Sequence, residues 1–70
     1  MTPLQLQTVG QHLYGLQWQA DLSRDLGVSN RTIARWLNGE SPIPMGITGE
    51  LRTLCRERSD KLRALADTLG

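Results

Sequence analysis

The sequence predicts an all-α domain of four or five helices. Three observations carry that expectation: apolar residues recur three and four apart in successive segments, glycine or proline separates those segments, and no stretch alternates apolar with polar residues as a half-buried strand would. Seventy residues make one small domain, 1–70, able to bury only about 60% of the surface its unfolded form exposes. Phe is absent and the aromatics are Tyr14, Trp18 and Trp36, so the core must be thin and help from a partner chain or ligand is expected. Cys55 is the only cysteine, which excludes a disulfide, and with His12 it supplies two ligands where a structural zinc needs about four.

Thr2-Pro3-Leu4-Gln5 starts the first helix: Thr2 can cap, Pro3 suits the first turn, and Gln5 can complete a capping box. Leu6, Val9, Leu13 and Leu16 then form one stripe that should be buried, with Gln5, Gln7, Gln11 and His12 outside it, and Gly15 should end the helix. Trp18, Leu22 and Leu26 repeat every four residues along a second short helix, which Gly27 can stop in a left-handed cap. Ser29 can cap a third, spanning about Asn30 to Asn38, in which Ile33, Trp36 and Leu37 share a face and which Gly39 closes. Glu40-Ser41-Pro42-Ile43-Pro44 is a stiff connection, because each proline disfavours helix in the residue before it. The last helix, 44–69, carries Ile47, Leu51, Leu54 and Cys55, then Leu62, Leu65 and Leu69, with Glu57 and Lys61 spaced to pair. Ser59-Asp60 is the one place where a break would let the chain fold back as a short fifth helix.

Two short helices joined by a glycine turn, the second opening on a serine cap, are the parts of a helix-turn-helix, here with its core at 18–38. The stretch from Gln19 to Gly39, QADLSRDLGVSNRTIARWLNG, resembles the DNA-binding motif of the phage Cro and repressor (XRE-type) family. Ser23 stands at the family's small residue four before the turn glycine, and Gln19 at the residue that opens its second helix. Gly27 matches that turn glycine, while Leu22, Leu26, Val28, Ile33 and Trp36 match the packed apolar positions. The Asn38-Gly39 ending and the proline-containing loop after it also fit. The resemblance covers about 21 contiguous residues and implies binding to the major groove of double-stranded DNA, with Gln19 touching the phosphate backbone.

The residues support the same reading by their own logic. With Ile33, Trp36 and Leu37 buried, the other face of the third helix carries Arg31, Ala34, Arg35 and Asn38. Arg31 and Arg35, one turn apart, can present guanidinium forks to guanine edges; Asn30 or Asn38 can pair with adenine; Ala34 keeps the helix slim; Ser29 and Thr32 can reach phosphates. The bland alternative makes Arg31 and Arg35 a solvated helix face. Trp18 and Trp36 belong in the core rather than against bases, Cys55 is expected to be an inert packed thiol, and His12 to lie at the surface. Arg24, Arg52, Arg56 and Arg63 can touch flanking phosphates, though a solvated or ion-paired state is the expectation for each.

Net charge is +1, which by itself points to neither nucleic acid nor membrane. The surplus is local: Arg31 to Arg58 holds five Arg against three Glu, and seven of the eight basic residues are Arg, whose planar fork suits phosphates and base edges. One His and one Cys, with no metal cluster and no glycine-rich phosphate loop, leave no assembled catalytic site, so neither an enzyme nor a cofactor is expected. The start Met1-Thr2-Pro3-Leu4-Gln5 lacks the basic and hydrophobic segments of a signal peptide and no apolar run is long enough for a membrane, so a cytoplasmic protein is expected. A domain with no second unit for small-molecule sensing is expected to act as a transcriptional regulator, most simply by occluding an operator; the rival class is a protein-interaction module on the same scaffold. A homodimer through 59–69, with Leu62, Leu65, Ala66 and Leu69 as its seam, would set two recognition helices about 34 Å apart, one turn of DNA.

Overall fold

A computed structural model describes residues 1–70 and holds four helices and no strand: α1 (Pro3–Tyr14), α2 (Trp18–Leu26), α3 (Asn30–Leu37) and α4 (Met45–Thr68). None is long and apolar enough to cross a membrane. The first helix starts as its sequence dictates. Thr2 Oγ1 accepts from the Gln5 N–H at 3.1 Å and Gln5 Oε1 accepts from the Thr2 N–H at 2.8 Å, so the capping box closes with Pro3 in the first turn. The helix ends at Tyr14, with Gly15 at φ +89°. Leu16, expected on the buried stripe, is instead 90% exposed. It lies beyond the last helical residue, so the 3.6-residue period that turns Leu6, Val9 and Leu13 inward no longer applies to it.

Gly27 closes α2 at φ +70°: the Val28 N–H donates to the Ser23 carbonyl at 3.0 Å and the Gly27 N–H to the Arg24 carbonyl at 3.3 Å. The same pair of bonds ends α3 one residue earlier than the spacing predicts, with Asn38 as cap and Gly39 beyond it. A Cβ at Gly27 would meet nothing within 4 Å, so the glycine is needed only for its backbone. Gly27→Val is therefore expected to lose about 1–3 kcal/mol through strain alone. Gly27→Asn, which tolerates the left-handed region, should recover much of that loss; thermal melts of the two variants check it.

All four helices contribute to one core of Leu6, Trp18, Leu22, Ile33, Trp36, Ile47 and Leu51, with Leu13 buried beside it. Val9, Leu26, Val28, Leu37, Ile43 and Leu54 pack against its edge. Two polar links pin the end of α1. The Arg58 guanidinium donates to the Leu13 carbonyl, one of the acceptors a helix C-terminus leaves open. The Tyr14 hydroxyl donates to Asp25 Oδ2 at 2.5 Å, tying α1 to the end of α2. Burial and the Asp25 carboxylate push the Tyr14 phenol up to about 12, while the same hydrogen bond, helped by Arg24, holds Asp25 below the usual carboxylate range. The signs are opposite. Asp25, depressed in the folded state, adds stability above its unfolded value of about 4, which is lost as pH falls; Tyr14, raised, adds stability below about 10, which is lost as pH climbs toward 12. The difference in melting temperature between the parent chain and Tyr14→Phe is expected to be largest near neutrality and to shrink at both extremes.

Only the first part of α4 belongs to the globule. Ile47 and Leu51 are buried and Leu54 is half-buried, whereas every residue from Cys55 onward is exposed. Twenty-four unbroken residues make a rod of about 36 Å. It neither breaks at Ser59 nor folds back, and the fifth helix is absent. The chain measures 47 × 22 × 20 Å with a radius of gyration of 13.3 Å, against about 11 Å for a compact chain of this length. Cys55, expected to be packed, is exposed, because it opens onto a groove beside α1 rather than into the core. The Glu57–Lys61 pair does not form; the ion pairs of the structure all involve Arg24, and two long side chains in water gain little from meeting.

Candidate nucleic-acid interface

The outward face of α3 follows from what its inward face buries. Ile33 is fully buried and Trp36 is 5% exposed, so the helix is held down by these two side chains with Leu37 half-buried beside them. Rotation by 100° per residue then leaves Asn30, Arg31, Arg35 and Asn38 exposed, with Ala34 half-buried between the two arginines. Arg31 and Arg35 stand about 6 Å apart along the axis. Neither takes part in an ion pair, whereas Arg24 is held at 3.2 Å from both Asp21 and Asp25. The free cationic forks of this region are thus the two on α3, while the charge on α2 is neutralised where it stands.

Ser29 and Thr32 are committed to the start of α3. Ser29 Oγ accepts from the Thr32 N–H at 3.1 Å and lies 3.0 Å from Thr32 Oγ1, a cap that fixes the angle at which α3 leaves the turn. A hydroxyl engaged in this way keeps acceptor capacity but positions the helix first. Gln19 is exposed in the first turn of α2, where no side chain caps the helix and Gln17, at the cap position, makes no such bond. The N–H groups of that turn therefore have no side-chain partner.

Gln19 does not stand apart from α3. It borders a groove of about 420 Å³ that also takes in Trp18, Leu37 at the end of α3, and Gln7 and Gln11 of α1. Gln7 and Gln11 were legible from the sequence only as polar positions outside a stripe. Their four-residue spacing puts them on one face of a helix without Asp or Glu, but only the meeting of α1 and α2 sets them beside Gln19, in a row of neutral carboxamides that neither attracts nor repels a polyanion. Leu16 stands on the rim of the same groove. Ser29, Asn30, Arg31, Thr32, Arg35 and Asn38 are thus gathered on α3 and its cap, and Gln19 is linked to its far end through the groove. Arg52, Arg56 and Arg63 are exposed on α4 without an ion pair, which is the solvated state expected of them. A scan of family models and searches of curated proteins and of solved structures gave no match to this chain.

Proposed function

We propose that the chain is a sequence-specific binder of double-stranded DNA that inserts α3 into the major groove, with α2, the turn at Gly27 to Ser29 and α3 forming a helix-turn-helix of the Cro/repressor type. The observation that carries this reading is the pair of exposed, unpaired guanidinium groups of Arg31 and Arg35, one turn apart on the face opposite Ile33 and Trp36. Buried side chains fix that face, and a slender Ala34 lies between the forks, so both can reach base edges at once. Asn30 and Asn38 flank them as further donors and acceptors. Gln19, Gln7 and Gln11 supply uncharged amides for the phosphate backbone beside the groove. The regulatory act is occlusion of an operator, and the regulator works as a homodimer joined through α4.

Arg31→Ala and Arg35→Ala are each expected to weaken specific binding by about 1–3 kcal/mol, with the melting temperature almost unchanged because neither side chain supports the core. Selection from a random duplex pool followed by titration of the two variants tests this, and recovery of an inverted repeat is the expected result. The exposed leucines of α4 favour a second reading, a protein-docking module. Salt separates the two. Binding to DNA falls steeply with added salt as counterions are released, whereas docking through an apolar helix hardly responds.

A further inference from the structure

We propose that the groove between α1 and the middle of α4 docks an acidic amphipathic helix of a partner protein. The proposal goes beyond DNA binding and uses none of the residues of α3.

Val9, His12 and Leu13 of α1 and Cys55, Arg58 and Leu62 of α4 line a groove of about 370 Å³. Leu13 is buried and Val9 half-buried, so they form its floor, while Cys55 and Leu62 stand exposed along its edge. From Cys55 to Leu62 the α4 wall runs about 10 Å, two helical turns. A third helix laid along that length can set apolar side chains at i, i+4 and i+7 onto the floor, the mode in which an amphipathic helix fills a groove between two others.

Charge decides the occupant. Counting about 100° per residue around α4 from Cys55, Arg52 and Arg58 stand about 60° to either side and Arg63 about 80°, whereas Glu50, Glu57, Asp60 and Asp67 lie about 120–160° away. The α1 wall brings no carboxylate, since the first of the chain is Asp21. Acid gathers instead on the opposite flank of α4, where Asp25, Glu50 and Glu57 border a cleft beside Leu26 of α2. Arg52 and Arg63 are exposed and join no ion pair, and Arg58 is fixed to the wall by the Leu13 carbonyl with further donors free. An apolar floor between cationic rims complements a helix whose apolar row is flanked by Asp and Glu. Nucleic acid suits the rims but not the floor, because phosphates gain nothing from Val9 and Leu62. The α4 of a second copy does not suit the groove either: its exposed apolar line is flanked by Arg58 and Lys61, which would set cation against cation.

The probe is a labelled peptide of about four helical turns, with leucines at three- and four-residue spacing, glutamate on both flanks of that line and alanine elsewhere. Fluorescence anisotropy against the intact chain is expected to show saturable binding that weakens about tenfold or more in the double variant Arg52→Glu/Arg63→Glu and in Cys55→Glu. All three positions are exposed, so the melting temperatures should stay near the parent's. In heteronuclear NMR spectra the amide shifts should gather at Val9, His12, Cys55 and Leu62, and the same peptide with lysine for glutamate should not bind. Absence of binding at concentrations on the order of hundreds of micromolar, or equal binding of the lysine peptide, would overturn the proposal. So would shifts confined to α3, where Arg31 and Arg35 would have taken the peptide in place of DNA, and so would shifts at the groove residues with decanoate alone, which would assign the groove to a single-chain lipid. Arg31→Ala and Arg35→Ala are expected to leave peptide binding unchanged, so failure here and failure of the DNA reading are told apart.

Discussion

Trp36→Ala is expected to leave the chain largely unfolded at room temperature. Trp36 is 5% exposed and belongs to the cluster that joins Leu22 of α2 and Ile33 of α3 to Ile47 and Leu51 of α4. Truncating so large a buried ring costs about 3–5 kcal/mol, through lost transfer energy and the cavity left behind. A domain of seventy residues has only about 4–10 kcal/mol to lose. Eight buried apolar side chains make up the whole core, so few neighbours are available to collapse into the hole. Far-ultraviolet circular dichroism and the emission of the remaining Trp18 follow the loss, and Trp36→Phe, which keeps a ring, should fall between the two. A Trp36→Ala chain that melts like the parent yet fails to bind DNA would move the ring from the core to the proposed DNA-binding face.

The elements that local chemistry determines were legible in advance. The capping box at Thr2 and Gln5, the left-handed stop at Gly27 and the serine cap at Ser29 are each set by a few adjacent residues, and each is found. The face of α3 was legible for a related reason: once Ile33 and Trp36 are turned inward, helical rotation fixes where Arg31 and Arg35 point. What sequence reasoning missed depends on tertiary arrangement. Leu16 keeps the spacing of the α1 stripe after the helix has ended, and spacing carries no sign of where a helix stops being covered. Cys55 follows the apolar line of α4 correctly, but burial along α4 ends at Leu54, leaving the thiol at the rim of a groove. Gln7 and Gln11 join Gln19 only because α1 and α2 meet there. The meeting of α1 and α2 also depends on a residue with no side chain, which no apolar pattern could have marked.

That residue is Gly10, and Gly10→Ala is expected to destabilise the chain although it replaces a poor helix former with the best one. Gly10 lies buried in the middle of α1, where a Cβ would fall 2.1 Å from Trp18 Cε3, 2.5 Å from Cδ2 and 2.8 Å from Cζ3. Carbon atoms in contact prefer about 3.5–4.0 Å, so the indole or the whole of α2 would have to retreat by more than an ångström. The atoms met belong to the rigid body of a ring that is 3% exposed, packed in one cluster with Leu6 and Leu22, so the ring has little free space to move into. Overpacking of this kind costs about 1–3 kcal/mol or more, which outweighs the roughly 1 kcal/mol that alanine gains over glycine within a helix. Gly49 supplies the control. It is helical and exposed in α4, a Cβ there meets nothing within 4 Å, and Gly49→Ala should raise the melting temperature by several degrees. Opposite shifts of the two variants are the expected result. A double-mutant cycle with Trp18→Leu should show the Gly10→Ala penalty shrinking once the indole is gone. If Gly10→Ala stabilised the chain as Gly49→Ala does, the packing of Trp18 across α1 would have to be abandoned.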